Sequence, residues 1–419
     1  HPSSALYVAM YPKHRLPFAT YSREWLRAEL LQLVFLQAKC SKQFIRTLKK
    51  IKLHIVALDV PFPADYGGAI DMFYRIKALH ELGLELTIHV FEYGRGKQTE
   101  LEKYGKVIYY PRKKGLLQNV SLRPFIVQSR KSQQLLKNLL VDDAPILFEG
   151  IHTTWCLEDS RISERKTFVR MHNLEHEYYH GLKKNAGWFK KQFFRIEAMK
   201  LKRYQSILSS ATHILAIKDS DANELRKINS STHVLPASIP DVKGCFGTVE
   251  RYALFHGNLS VPENERSALW IIDTLDSVLD QHFELIIAGK NPSKKLQKAC
   301  VKAGVELVAN PSDDKLRNLI QEAQIHVLYT PVASGVKLKL LTCMYSPGQI
   351  LLNGNMLGNS ELAPFCKVAN TPKEFKMHFL GLQNKALTLA DYEARVKFMD
   401  LHFNNRSNCK RMVKLLDYE

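Results

Sequence analysis

The sequence of 419 residues lacks the features that mark membrane, secreted and zinc-binding proteins. Its main apolar run near the start, residues 30–38, contains two glutamines and is far shorter than the ~20 residues of a membrane-spanning helix. The first fifteen residues contain no basic segment followed by an apolar one, so no secretory signal is predicted. Seven cysteines are present without any CxxC pair, which predicts neither a zinc site nor a disulfide framework. We therefore expect a cytoplasmic protein with reduced cysteines.

Acidic residues are few relative to basic ones: 41 Asp and Glu stand against 60 Lys and Arg, and the formal net charge is +19. Such an excess attracts anions, and nucleotide phosphates, anionic lipids and nucleic acids all qualify. Because no zinc-finger spacing or RNA-binding aromatic signature occurs, nucleic acid is not an expected partner. The hydrophobic share of 45% is ordinary for a globular protein, and the length predicts two domains.

Part of the positive charge is concentrated between residues 183 and 203, where eight basic residues and one acid are interleaved with aromatic side chains. The aromatic residues are Trp188, Phe189, Phe193 and Phe194. A basic, aromatic helix of this kind can lie on an anionic membrane surface, which predicts a peripheral contact at the inner face of the membrane. The alternative is a helix that packs its aromatic side chains inward and leaves its lysines in water.

Short apolar segments alternate with helical patterns along most of the chain. Residues 1–50 are predicted to form an N-terminal extension, helical or poorly ordered. Strands are predicted at residues 52–59, 84–91, 106–110, 145–148, 167–171 and 212–217, and again at 252–256, 283–288, 305–308, 325–329 and 350–352. Prolines and glycines cluster at residues 236–248, which predicts a linker. The fold class is therefore α/β, with two doubly wound, Rossmann-like domains facing across a cleft.

Five segments in this framework carry a resemblance to a known family. They are residues 61–68 (PFPADYGG), 168–179 (FVRMHNLEHEYY), 256–260 (HGNLS, followed by Pro262 and Asn264), 285–293 (LIIAGKNPS) and 334–341 (SGVKLKLL). In this order they resemble the GT-B glycosyltransferases, particularly the retaining enzymes of family 4 and their bacterial relatives. The resemblance implies an acceptor-side domain at residues 51–240, a nucleotide-sugar-binding domain at 249–372 and C-terminal helices at 373–419.

The glycines and lysines of these segments also have a physical interpretation. Gly67 and Gly68 follow the first strand, where glycine lets the backbone approach a ligand and a helix N-terminus favours a phosphate. The segment around Gly335 is predicted to open a second helix that binds the donor diphosphate, with Lys337 or Lys339 neutralising its charge. Lys339 is the better match to the family's lysine. The predicted donor-binding residues are Gly67, Gly68, Gly257, Asn258, Gly289, Lys290, Ser334, Gly335, Val336, Lys337 and Thr342.

His172 and Lys339 are the predicted catalytic residues. His172 follows the fifth predicted strand, and the resemblance implies a histidine here beside the reacting sugar; imidazole can donate or accept a proton near neutral pH. His172 and His176 are four residues apart and could present two metal ligands on one helical face, but no third ligand is evident. No Asp-x-Asp motif occurs either. We therefore expect no metal and no cofactor other than the nucleotide sugar substrate.

The predicted activity is transfer of a sugar, hexosyltransferase-like, from a nucleoside diphosphate sugar to a glycan or lipid-linked acceptor. The resemblance implies retention of configuration and a role in cell-envelope polysaccharide synthesis. Ser334 and Thr342 occupy the positions where family 4 enzymes commonly carry two glutamates. This departure leaves open a non-catalytic protein that binds sugar nucleotides. A third hypothesis is a UDP-sugar 2-epimerase-like enzyme, which shares the two-domain fold but needs several cleft carboxylates.

Overall fold

The computed structural model describes residues 51–113, 115, 121–183, 187–241, 244–279, 282–332, 337–358 and 360–416. The extension predicted at residues 1–50 lies outside this part of the chain. The described residues form two parallel sheets of seven and six strands with helices, as the sequence predicts.

The first sheet is built from β1 to β7, in the spatial order β3-β2-β1-β4-β5-β6-β7. The strands are β1 Lys52–Ala57, β2 Glu85–Glu92, β3 Lys106–Pro111, β4 Ile146–Glu149, β5 Thr167–Met171, β6 His213–Ala216 and β7 Thr232–Val234. Every residue of β4 and β5 is buried, because helices cover both faces of the parallel sheet. β1 pairs with β2 on one side and β4 on the other, so the strand order reverses there. A crevice opens beyond the carboxyl ends of the strands at such a reversal.

The helices of this first half are α1 Gly67–Glu81, α2 Thr99–Glu102, α3 Phe125–Gln128, α4 Gln133–Leu139, α5 Ser160–Ser163, α6 Glu175–Leu182, α7 Trp188–Tyr204 and α8 Asp219–Arg226. Two 3₁₀ helices, Ile151–Glu158 and Gln205–Ser210, complete it. The apolar spacing of the sequence predicts a helix from residue 71, but α1 begins four residues earlier, so Gly67 and Gly68 form its first turn. Glycine has a low helix propensity and gives no apolar signal, which explains why the pattern places the start too late.

The second sheet has the order β10-β9-β8-β11-β12-β13 and again reverses beside its first strand. Its strands are β8 Glu250–Asn258, β9 Glu284–Lys290, β10 Glu306–Ala309, β11 Ala323–Leu328, β12 Gln349–Leu352 and β13 Lys367–Val368. Its helices are α9 Pro262–Leu275, α10 Lys294–Ala303, α11 Asp313–Glu322, α12 Leu338–Cys343 and α13 Gly354–Leu357, with short 3₁₀ helices at Asp276–Val278 and Ser360–Phe365. The two reversals give each sheet a crevice at its carboxyl edge.

Three C-terminal helices connect the two halves: α14 Pro372–Gln383, α15 Leu389–His402 and α16 Asn405–Lys414. Helix α14 packs on the second sheet. In α15 the buried Arg395 donates hydrogen bonds to the carbonyls of Ser346 and Gly348. Helix α16 instead packs on α1 of the first half, where the Cys409 Sγ lies 3.9 Å from the Arg75 carbonyl oxygen. Helix α16 therefore returns to the half that contains the first sheet.

The segment between the sheets, predicted as a linker, is held by hydrogen bonds to α1 and α16. The Ser238 backbone N–H donates to Asp71 Oδ1 at 2.6 Å, and the Ile239 N–H donates to Asn405 Oδ1 at 3.0 Å. Asp71 lies in α1 and Asn405 in α16. The described part of this segment is therefore fixed beside the cleft by specific hydrogen bonds.

Candidate functional site

A cleft lies at the carboxyl edge of the first sheet and is closed on its other side by helices of the second half. From the first half it is lined by His172, Asn173, Ile217, Lys218, Asp221 and Ala237. From the second half and the C-terminal helices it is lined by Lys337, Leu340, Leu341, Leu357, Gly358, Leu362 and Phe403. The lining is mainly apolar, with a few polar groups converging from both halves, which is the usual composition of a small-molecule site.

His172 is the first residue after β5 and enters the cleft from the first half. Its Nε2 lies 3.0 Å from Glu149 Oε2, and its Nδ1 lies 3.5 Å from Asp71 Oδ2. The first contact is a charge-assisted hydrogen bond, and the second is too long for one, so Nδ1 has no hydrogen-bond partner among the described residues. The imidazole is therefore fixed through Nε2.

The two carboxylates beside His172 belong to a buried network with two arginines. Arg75 donates bidentate pairs of hydrogen bonds to Asp71 (3.0 and 2.9 Å) and to Glu149 (3.0 and 2.9 Å). Arg170 Nε donates to Asp71 Oδ2 at 3.0 Å. Burial would raise the pKa of both carboxyls, but Arg170 and Arg75 beside Asp71, and Arg75 beside Glu149, hold each pKa below its ordinary value. Both carboxylates are therefore charged and paired at neutral pH.

Asp71, Glu149 and His172 bring three potential metal ligands within 4.8 Å of one another. Both carboxylates, however, already accept forked hydrogen bonds from arginine, and a divalent cation would have to displace those buried guanidinium groups. The donor set therefore fits an ion-pair network better than a metal centre. The helical pair of His172 and His176 considered from the sequence does not form, because α6 begins at Glu175, after His172.

Lys339 lies in α12 and points to the end of β8 and the first turn of α9. Its Nζ donates to Asn264 Oδ1 at 2.6 Å, and Asn264 Nδ2 donates to the Asn258 carbonyl at 2.8 Å. The Nζ also lies 4.5 Å from the centre of the Phe255 ring. Burial, together with the nearby charge of Lys337, lowers the pKa of Lys339 to about 7. This lysine therefore changes its charge in the physiological pH range.

Lys337 lines the cleft itself, beside His172, whereas Lys339 is not among the lining residues. The Lys337 Nζ donates to the Val332 carbonyl at 2.8 Å. Burial and the nearby Lys218 lower its pKa to about 8. This geometry agrees with the different directions in which residues two positions apart project from a helix.

The predicted glycines lie at close approaches of the backbone. A Cβ on Gly67 would lie 3.7 Å from Leu338 Cδ1, so the start of α1 faces α12 across the cleft. A Cβ on Gly257 would lie 3.0 Å from Lys339 Cε and Nζ. A Cβ on Gly289 would lie 1.8 Å from the Gly257 carbonyl oxygen, a contact that no side chain tolerates. Gly68 packs beside the Tyr66 ring.

The remaining predicted donor residues have varied environments. Asn258 Oδ1 accepts from the backbone N–H and hydroxyl of Ser260, and Lys290 is exposed at the end of β9. The Thr342 hydroxyl donates to the Leu338 carbonyl at 3.0 Å, inside its own helix. Ser334, Gly335 and Val336 lie outside the described residues, and the helix they were predicted to open begins at Leu338.

Sequence reasoning missed the network that holds His172. Asp71 and Arg75 lie one turn apart in α1, and Glu149 ends β4. A charged residue that closes an otherwise apolar strand is a usable signal, because such a residue lies at the sheet edge where ligands bind. The hydrogen bonds between the arginines and carboxylates of this network join residues far apart in sequence, so no local sequence pattern predicts them.

The fold is shared with several solved glycosyltransferase structures. HepE of Anabaena, solved with UDP and glucose, has a TM-score of 0.61 and 11% identity, covering 87% of this chain and 99% of its own. TarM of S. aureus, solved with Fondaparinux, alpha-GlcNAc-glycerol and UDP, has a TM-score of 0.63 and 11% identity over 88% and 100%. A glycosyltransferase of Rickettsia africae has a TM-score of 0.63 and 13% identity, covering 88% of this chain and 100% of its own.

This chain has the GT-B fold. The resemblance inferred from the five sequence segments is thus confirmed at the level of the fold. In this GT-B chain the cleft described above lies between the two Rossmann-like halves.

Sequence comparison finds a more similar chain of undescribed activity. The "uncharacterized 44.6 kDa protein in cps region" of Klebsiella pneumoniae is 27% identical over 312 residues, which cover 70% of this chain and 80% of the relative. No protein-family model matches this chain.

Proposed function

We propose that this GT-B protein is a glycosyltransferase that moves a sugar from a nucleoside diphosphate sugar to an acceptor hydroxyl. The observation that carries the proposal is the cleft in which His172 of the first half faces Lys337 of the second. The structures of HepE with UDP and glucose, and of TarM with UDP and alpha-GlcNAc-glycerol, support a nucleotide sugar donor and a glycan acceptor.

The donor diphosphate is assigned to the second half, where the ammonium groups of Lys337 and Lys339 would neutralise it. An ammonium group held out of bulk water gains more from a phosphate than an exposed one does, because the local dielectric is low. Binding the diphosphate raises the pKa of each lysine and keeps both charged. This role needs no metal ion to stabilise the leaving group, in agreement with the metal-independent chemistry that the resemblance implies.

His172 is assigned to the reacting sugar. Its Nε2 is used by Glu149 and its Nδ1 is buried 3.5 Å from Asp71 Oδ2, so the two carboxylates position the ring at the wall of the cleft. Asp71 and Glu149 themselves are paired with arginines and poorly placed to attack a sugar carbon. We therefore favour a retaining transfer without a covalent carboxylate intermediate, in which the departing diphosphate accepts the proton of the incoming hydroxyl.

A non-catalytic sugar-nucleotide-binding protein is the second candidate, because of Thr342. The hydroxyl hydrogen of Thr342 is used inside α12, which leaves only its oxygen lone pairs for a ribose hydroxyl. That contact is weaker than one to a carboxylate. A nucleotide would then bind without the contact that family 4 enzymes commonly use.

Product analysis separates these candidates. The full chain is incubated with UDP-, GDP- and ADP-sugars, with and without a mixture of glycan and lipid-linked acceptors, and the products are resolved by mass spectrometry. Transfer to an acceptor supports the proposal. A sugar nucleotide isomerised without acceptor would support an epimerase, and binding without any conversion would support the non-catalytic candidate.

We further propose that the protein acts in the cytoplasm at an anionic membrane surface, in the synthesis of a cell-envelope polysaccharide. Helix α7 supports the first part: Phe189 and Trp188 are 82% and 67% exposed beside Lys190 and Lys191. Phe194 packs edge-on against Tyr179, so only part of the aromatic set is turned inward. The K. pneumoniae relative from a cps region supports the second part. No helix in the described ranges is long and apolar enough to cross a membrane.

A further inference from the structure

Two arginines lie at the carboxyl edge of the first sheet, outside the lining of the cleft described above. Arg112 follows β3, and Arg130 follows α3. Arg130 is only 4% exposed; its Nε donates to the Leu58 carbonyl and its Nη1 to the Ile126 carbonyl, each at 2.7 Å. Its Nη2 has no hydrogen-bond partner among the described residues. The Arg112 Nε donates to Ser129 Oγ at 3.1 Å, and its guanidinium lies 4.2 Å from the Tyr93 ring centre.

Neither guanidinium has a carboxylate within ion-pair distance in the part of the chain that the structure describes. Their hydrogen-bond acceptors are carbonyls and a hydroxyl, which are neutral. Burial and the nearby charge of Arg112 lower the pKa of Arg130 to about 9. Glu175, which interacts electrostatically with Arg130, is buried, and burial raises its pKa to about 7, so it supplies only part of a negative charge at neutral pH. A buried cation of this kind is costly unless an anion pairs with it.

The pair lies close to the reaction cleft. His152, on the 3₁₀ helix after β4, interacts electrostatically with Arg130, with Arg112 and with His172. Arg130 also interacts with Tyr66, which directly precedes Gly67 at the start of α1. The strand order β3-β2-β1-β4-β5 places the loops that follow these strands along one edge. An acceptor that extends from His172 along this edge would reach the arginines.

We propose that Arg112 and Arg130 form a subsite for an anionic group, phosphate or carboxylate, on the acceptor sugar. The proposal rests on the proposed glycosyltransferase function and adds the class of acceptor. Guanidinium groups suit this task because their planar fork of N–H donors matches both anions and stays charged at neutral pH. Asp59 and Glu175 interact with Arg130 from beyond ion-pair distance, and the substrate's anion would supply the direct ion pair that the described side chains lack here.

The test compares three sugars of similar size by calorimetric titration of the full chain: glucose, glucuronate and glucose 6-phosphate. UDP is titrated separately. We expect at least one anionic sugar to bind ten times more tightly than glucose, and the preference to fall about tenfold or more in Arg112→Gln. The UDP affinity should stay unchanged in this variant. Whichever anion is preferred identifies the group as phosphate or carboxylate.

Control variants separate charge from folding. Arg161→Gln removes an exposed arginine of the same half and should leave every affinity unchanged; Arg112→Lys keeps the charge and should retain part of the preference. Equal binding of the three sugars, or an unchanged preference in a folded Arg112→Gln, overturns the subsite. Absence of binding by UDP, and likewise by GDP and ADP, would contradict the proposed function instead, while the sugar comparison would still decide on the subsite.

Discussion

The imidazole of His172 is held by side chains from three separate elements. Glu149 at the end of β4 accepts its Nε2 hydrogen, and Arg75 of α1 neutralises Glu149 and Asp71 together. Arg170 of β5 completes the pairing at Asp71. The five residues thus form one buried network of paired charges, and the other four fix the orientation of the His172 ring.

Replacing Glu149 by Gln should therefore disturb both stability and the site. The substitution leaves Arg75 buried with one carboxylate fewer, and breaking a buried ion pair costs about 3–5 kcal/mol. We expect a loss of that order in the free energy of unfolding, measured by denaturant titration, together with weaker sugar transfer. Glu102→Gln removes the same charge from an exposed position and should cost less than about 0.5 kcal/mol. Equal stability of the two variants would show that the network does not hold the site.

Lys339 should make nucleotide binding depend on pH. Burial lowers the pKa of Lys339 to about 7, so the free protein loses this charge as the pH rises above 7. A diphosphate prefers the protonated lysine, and its affinity should fall up to tenfold per pH unit between about pH 7 and 9. Lys337, with a pKa of about 8, adds to the fall.

Lys339→Arg should flatten this pH profile, because arginine stays charged throughout. Titrations with UDP at pH 6, 7, 8 and 9 measure both proteins. If UDP affinity changes with pH in the same way for the wild type and the variant, Lys339 does not bind the diphosphate, and Lys337 is the cation of the site.

A strand could be predicted only where its residues form a clear apolar pattern in the sequence. The central strands were found because burial on both faces gives uninterrupted apolar runs, as in β4 and β5. β7 and β13 were missed because they have three and two residues and lie at sheet edges, too short for a period to show. The Asp71–Glu149–His172 cluster could not be predicted as a cluster, because its residues lie in three elements far apart in sequence.

Helix α7 exposes aromatic side chains beside lysines, which allows a test of membrane binding. If its exposed aromatic residues enter an anionic bilayer, Phe189→Ser should weaken binding to phosphatidylglycerol vesicles about tenfold, since a buried aromatic side chain contributes about 1.5–3 kcal/mol. Co-sedimentation measures the bound fraction, with neutral phosphatidylcholine vesicles in parallel. Val301→Ser alters an equally exposed apolar residue on α10 and should change nothing. Identical binding of wild type and Phe189→Ser would leave α7 without a role at membranes.

In the whole molecule, the GT-B fold follows from two parallel sheets whose strand orders reverse at corresponding positions. The alternation of strands and helices was enough to predict this architecture. The five family-like segments supported it because they occur in the order found in GT-B glycosyltransferases. The side chains that meet across the cleft depend on how α12 and the C-terminal helices pack against the first half. That packing joins residues more than 150 positions apart, such as His172 and Lys337, and no spacing in the sequence encodes it.

Calorimetric titration of the full chain with UDP, GDP and ADP tests directly whether the cleft between the two halves binds a nucleoside diphosphate. We expect one of the three to bind with 1:1 stoichiometry. Lys337→Ala should weaken that binding tenfold to a hundredfold, as loss of a charge-assisted contact worth about 1.5–3 kcal/mol requires. Lys302→Ala, on the far end of α10, should bind as the wild type does. If the folded protein binds none of the three nucleotides, the cleft is not a nucleoside diphosphate site. If the wild type and Lys337→Ala bind equally, Lys337 does not hold the diphosphate.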